Sequence, residues 1–208
     1  MHTIGFNRRT ATKVRDGKVQ RKNRHQFTTR LGYVIDRESP KKGFRHLVTK
    51  HDIGDFIELI PDWEGLSVGL ERIVLGGGDL KEQADGYYEH FHRERTGAVV
   101  LHAWHGDLWA LHTERYFTAH RHIYDLFRVS YTHEKDTWTC RFTEAQAKAF
   151  LLLHVFMHEL GHHHDRMQYK QQDRCRGGEV YAEGFANARL PDMLPRYIAR
   201  FGDPALAS

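Results

Sequence analysis

"TEAQAKAFLLLHVFMHELGHHHD", residues 143–165, is the stretch whose reading decides the fold. Thr143 is a good N-cap, Gln146 three residues on completes a capping-box pattern, and Glu144 sits in the first turn, where the helix dipole favours negative charge. From Ala145 to Leu160 the run is apolar nearly all round after its first turn, which predicts a helix buried in a core. Burying a histidine and a glutamate at the end of such a helix is costly unless their polar atoms are satisfied. A metal ion is one way to satisfy several at once.

At about 100° per residue, His158 and His162 lie one turn apart on one helix face, where both imidazoles can converge on one ion at about 2.0–2.1 Å. His154 shares that face but stands about 12 Å of helix rise from His162, so one tetrahedral ion does not easily take both; a hydrogen-bonded core histidine is expected. His163 and His164 point about 100° and 200° away from His162 and are expected to finish the helix C-terminus, beside its unsatisfied carbonyls. Asp165 stays open between ligand, acceptor behind a ligand and polar helix end. Glu159 lies beside His158, close to the ion without needing to bind it, where a general base for a zinc-activated water belongs. Gly161 costs about 1 kcal/mol relative to alanine in a helix interior, so another segment is expected to pass close by.

A catalytic zinc takes three protein ligands and keeps one position open. Downstream, "GGEVYAEGFANARLP", residues 177–191, reads as a second helix preceded by Gly178 and ended by Pro191. Glu179 and Glu183 share one face at i and i+4. Facing the first helix, Glu179 can complete the site, and Glu183 can accept the free N–H of a zinc histidine, His158 first, fixing its tautomer.

With these two segments the chain resembles the gluzincin metallopeptidases, and more narrowly their small minigluzincin and ImmA/IrrE-like members. The resemblance rests on "HELGH" at 158–162 and "EVYAEGFA" at 179–186, and covers about residues 143–191. It implies an α+β, zincin-like fold, with a small twisted sheet packed over a buried active-site helix and a second helix bearing a ligand. It also implies one zinc ion per chain bound by His158, His162 and Glu179, with Glu159 as general base. Three features depart from the family pattern. Glu183 stands where Asp or Asn is common, His164 stands where an apolar residue is usual, and no obvious residue stabilises an oxyanion. Tyr169, Tyr181, His105, Arg174 and Arg176 are the weak candidates for that task.

The rest of the chain is compatible with one domain spanning residues 1–208. Of its residues 40% are hydrophobic and 28% charged, which describes an ordinary globular protein without long linkers. The opening "MHTIGFNRRT" lacks the apolar core of a signal peptide, and "AFLLLHVFM", 149–157, is too short to span a bilayer, so a cytoplasmic protein is expected. Cys140 and Cys175 form no CxxC pair and are expected as free thiols. Residues 1–46 hold 13 Lys/Arg against 3 Asp/Glu, a net of +10, which leaves −6 for the other 162 residues. Such a basic region could attract nucleic acid or an acidic partner; a solvated basic surface is the favoured reading, because no nucleic-acid motif accompanies it.

Along the chain, "ATKVRDGKVQRK" reads as a hairpin about Asp16 and Gly17, and 51–60 as a helix stopped by Pro61. "GLERIVLGGGD", 69–79, and "GAVVLHAW", 97–104, read as strands, the second central or next to a cleft. Residues 108–127 read as a helix whose His112, His120 and His122 serve packing or surface, and 127–142 as a hairpin with a polar turn at 133–136.

The function expected is therefore zinc-dependent peptide hydrolysis acting on a peptide or protein substrate laid along a strand such as "GAVVLHAW", with no membrane involved. The alternative is a zinc-stabilised binding or regulatory module that contacts protein or nucleic acid through the basic N-terminal region. Glu159 argues against it, since a closed structural site needs no base; His163, His164 or Cys175 would have to supply the closing ligand.

Overall fold

The computed structural model describes residues 32–78, 85–168 and 177–206, and before them the backbone of two short strands. Those strands, β1 (Lys13–Arg15) and β2 (Lys18–Gln20), pair antiparallel with Val14 opposite Val19, at the place where the sequence reads as a hairpin. The turn residues Asp16 and Gly17 and the rest of the basic arm through residue 31 lie outside the described residues.

The fold is mixed α+β. In chain order follow β3 (Val34–Arg37), β4 (Phe44–Arg45), α1 (Lys50–Leu59), the single turn α2 (Trp63–Leu66), β5 (Leu70–Gly76), β6 (Gly86–Phe91), β7 (Thr96–His102), β8 (Trp104–His105) and β9 (Trp109–Thr113). Then come α3 (Glu114–Phe127), β10 (Ser130–Glu134), β11 (Thr137–Arg141), α4 (Glu144–Ala149), a π-helical stretch (Phe150–Phe156), α5 (Met157–Met167) and α6 (Gly178–Phe201).

The main sheet has the order β3-β5-β7-β6; β3, β5 and β7 run parallel, and β6 turns back antiparallel to β7 as an outermost strand. Strand β7 is buried from Gly97 through Leu101. Its near-continuous apolar sequence suits a strand with neighbours on both sides and cover on both faces. Strand β6, "GYYEHF", is half-buried throughout and carries no apolar alternation, which is why the sequence alone did not reveal it. A second, antiparallel sheet of order β10-β11-β9 contains the hairpin expected at 127–142, with its turn at Lys135 and Asp136.

Residues 109–113 correct the expected helix. They form β9, paired with β11 so that His112 faces Trp138. Their exposure alternates with period two, the mark of a strand. The helix starts only after Thr113, whose side chain accepts the Tyr116 N–H at 3.3 Å.

The helix over 143–167 begins as its sequence predicts. The Gln146 N–H donates to Thr143 Oγ1 at 3.3 Å and the Thr143 N–H to Gln146 Oε1 at 2.8 Å. The Gln146 amide also donates to the Phe127 and Arg128 carbonyls, which fixes the helix start against the end of α3. All seven residues of the π-helical stretch are buried, and the chain returns to α geometry at Met157, just before the histidines. Such π turns occur often at functional sites.

Helix α6 runs ten residues past the stop expected at Pro191, through Pro191 and Pro195 to Phe201. Each proline withholds one N–H, but Leu190, Met193 and Tyr197 on this half are buried in the core and hold the helix in place. No helix among the described residues is long and apolar enough to cross a membrane.

Candidate metal centre

His158 and His162 stand one turn apart on α5, and Glu179 reaches them from the first turn of α6. Glu179 Oε2 lies 3.2 Å from His158 Nε2, and its Oε1 lies 3.4 Å from His162 Nε2. One ligand atom from each residue falls within 4.8 Å of the other two, so the donor set fits a single cation. The histidines are largely buried, whereas the Glu179 side chain is 82% exposed at the mouth of the cleft.

Two features of α5 bring α6 into range. A Cβ on Gly161 would come 2.9 Å from Ala182 Cα and 3.1 Å from Phe185 Cβ, so this is the close approach that the glycine suggests. Asp165 is buried, and its Oδ2 accepts the N–H groups of Gly177 (3.0 Å) and Gly178 (3.3 Å). The open question about Asp165 is thus answered: it caps the start of α6 and positions Glu179.

Glu183 lies behind the histidines. Its Oε2 accepts from His158 Nδ1–H at 3.2 Å, while Oε1 accepts from the Asn187 amide at 2.9 Å. The arrangement directs His158 Nε2 at Glu179. Burial opposes charge on Glu183, but the hydrogen bond from His158 and the nearby His154 and His120 outweigh it and hold its carboxyl down at about 2. Burial likewise opposes charging of His158, yet Glu183, Glu159 and Glu179 together raise its pKa. His162 is lowered, by burial and by the neighbouring His158.

Glu159 is buried beside His158, and burial pushes its carboxyl up to about 7 against the opposing pull of His158 and the Tyr88 backbone N–H. Gly86 lets β6 lie close to the helix here. A Cβ at that position would come 2.7 Å from the Val100 carbonyl and Val155 Cγ1, and 3.5 Å from Glu159 Cγ. The cleft above has a volume of about 1120 Å³ and is lined by Gly86, Tyr87 and Tyr88 of β6, Arg115 and Tyr116 of α3, and the ligand-type residues. Tyr116 sits in it with its pKa well above the ordinary value, through burial and the facing carboxylates, so its phenol stays a donor.

Other expectations are corrected. His163 is not a helix-end residue; it is fully buried, 3.0 Å from the Val68 carbonyl and 3.3 Å from the Tyr88 hydroxyl. His164 is bonded to the Tyr181 hydroxyl at 2.7 Å, joining α5 to α6. Tyr181 is therefore engaged away from the His158–His162 cluster, and His105 packs edge-on against Phe44 outside the cleft. Tyr169, Arg174, Cys175 and Arg176 lie outside the described residues. Cys140 is a free thiol, buried and pushed up to about 12. The strand beside the cleft is β6, because β7, "TGAVVLH", lies inside the sheet. His120 is buried and stacked on Tyr116 and His154 is buried in the core against Phe150, and both also approach Glu183. Nothing in local sequence signals the contacts with Glu183, since they join residues 29 to 63 positions apart.

Comparison of the chain with models of protein families, with curated proteins and with solved structures finds no match.

Proposed function

We propose that this protein is a zinc-dependent peptidase of gluzincin type, with a zincin-like sheet over its active-site helix, acting in the cytoplasm. The observation that supports it most strongly is the position of Glu159: a buried carboxyl poised near neutrality, adjoining a cluster of two imidazoles and a carboxylate at the floor of an open cleft. His158, His162 and Glu179 would hold the zinc ion, which would supply Lewis acidity and an acidified water.

The chain's own residues do the remainder. Glu159 takes the proton of the attacking water and returns it to the departing amine nitrogen. Glu183 keeps His158 in the tautomer with Nε2 available. Strand β6, paired on one side with β7, offers an extended peptide a strand to lie along, and Arg115 lines the same cleft as a donor for a developing oxyanion, whereas the Tyr116 hydroxyl already donates to Asp85. A closed structural site is less well supported, because among the described residues the candidate closing ligands His163 and His164 are both turned to other partners, Cys175 lying outside them.

The test is a trap. Glu159→Gln is expected to retain zinc and hold peptides from a proteome digest without cutting them. Cleavage by that variant at the parent's rate would remove Glu159 from the role of base.

A further inference from the structure

A second group of ligand-type side chains meets behind the His158–Glu183 hydrogen bond. It is drawn from three elements: His120 from α3, His154 from the π-helical stretch and Glu183 from α6. Nε2 of His120 and Nε2 of His154 each lie 3.8 Å from the same atom, Glu183 Oε2. One ligand atom from each of the three falls within 4.8 Å of the others, as in the His158 group. The two rings meet edge to face with centroids 4.8 Å apart.

The tautomer of His120 is fixed by its surroundings. Its Nδ1 is 2.7 Å from the Tyr116 carbonyl, which can only accept, so Nδ1 carries the hydrogen. In the neutral ring Nε2 then presents a bare lone pair to a carboxylate oxygen. At 3.8 Å the pair is too long for a hydrogen bond. Donor atoms that share a tetrahedral ion at about 2.0–2.1 Å stand about 3.3 Å apart, so the two pairs at 3.8 Å need close by only about half an ångström to share a cation.

We infer that His120, His154 and Glu183 form a second divalent-metal site, of the transition-metal class that imidazole with carboxylate favours over magnesium or calcium. All three line the cleft, so an ion enters from solvent. Glu183 is common to both sites: its Oε2 also accepts from His158 Nδ1–H. The second site goes beyond the peptidase reading and holds whether or not the chain cleaves peptides.

Zinc titration of the full chain by calorimetry, with elemental analysis after desalting, tests it. His120→Ala is expected to bind one zinc equivalent fewer than the parent. His162→Ala is also expected to lose one, and the double variant to lose both. A parent and a His120→Ala variant with equal stoichiometry overturn the second site. Because either variant could misfold, the parent is also examined by anomalous diffraction from zinc-soaked crystals. A peak among His120, His154 and Glu183 is expected; a peak at His158 and His162 with none there overturns the inference.

Discussion

Two clusters of identical composition, each with two histidines and one glutamate, sit side by side around Glu183. In the outer one, His158 and His162 come from a single helical turn and Glu179 projects from the mouth of the cleft. In the inner one, each residue comes from a different element and the histidines are buried. The difference teaches that composition does not by itself set the clusters' chemistry. What distinguishes them is the company each keeps: the outer cluster has Glu159 and β6 beside it, and the inner one has the aromatic rings of Tyr116 and Phe150.

The largest effect expected breaks this asymmetry at its source. Glu159→Gln is expected to lower kcat for peptide hydrolysis by about 10²–10⁴-fold with zinc content unchanged, read from initial rates beside elemental analysis. A variant of equal activity would make the outer cluster no more catalytic than the inner.

Glu183→Gln acts on both clusters, since one carboxylate oxygen approaches His120, His154 and His158. Zinc affinity at the outer site is expected to fall by about 10–100-fold, measured with a competing chelator. An unchanged affinity would separate the two clusters energetically.

Smaller effects probe the scaffold that holds α6 on α5. Gly161→Ala places a methyl 2.9 Å from Ala182 Cα, and is expected to cost about 1–3 kcal/mol in denaturant unfolding and to weaken zinc binding as Glu179 moves off. Asp165→Ala leaves the Gly177 and Gly178 N–H groups without their acceptor, and is expected to cost about 1–2 kcal/mol with a similar but milder weakening of zinc binding.

The most gradual effect concerns pH. Burial holds His163 down at about 4, whereas an unfolded histidine titrates near 6.5. Between those values the unfolded state binds the extra proton, so the stability that neutral His163 contributes is present above pH 6.5 and is lost as pH falls towards 4. The advantage of the parent over His163→Gln is expected to shrink by up to about 1.4 kcal/mol per pH unit across that range, read from paired unfolding curves. A constant difference would place His163 among the exposed histidines.

How far each part was legible follows the range of the interactions. The capping box at Thr143 and the face shared by His158 and His162 depend on residues three and four apart, where helix geometry fixes the outcome. Glu179 and Glu183 were legible as one face of a second helix, and the crowding at Gly161 as a demand for a close neighbour. Strand β9 was misread because its sequence, "WALHT", sets three apolar residues before two polar ones and so shows no alternation, and five positions are too few to separate periods of 2 and 3.6. The end of α6 was misread because core packing outweighs two missing N–H groups.

Sequence alone determined that His158 and His162 share one face of a buried helix with Glu159 beside them, because backbone periodicity converts spacing directly into direction. Only tertiary structure decided that β6 walls the cleft, that Asp165 caps α6, that His163 turns into the core and that His120 and His154 gather on Glu183. Those contacts join elements far apart in the chain, and their formation depends on how sheet and helices pack, which no local pattern encodes.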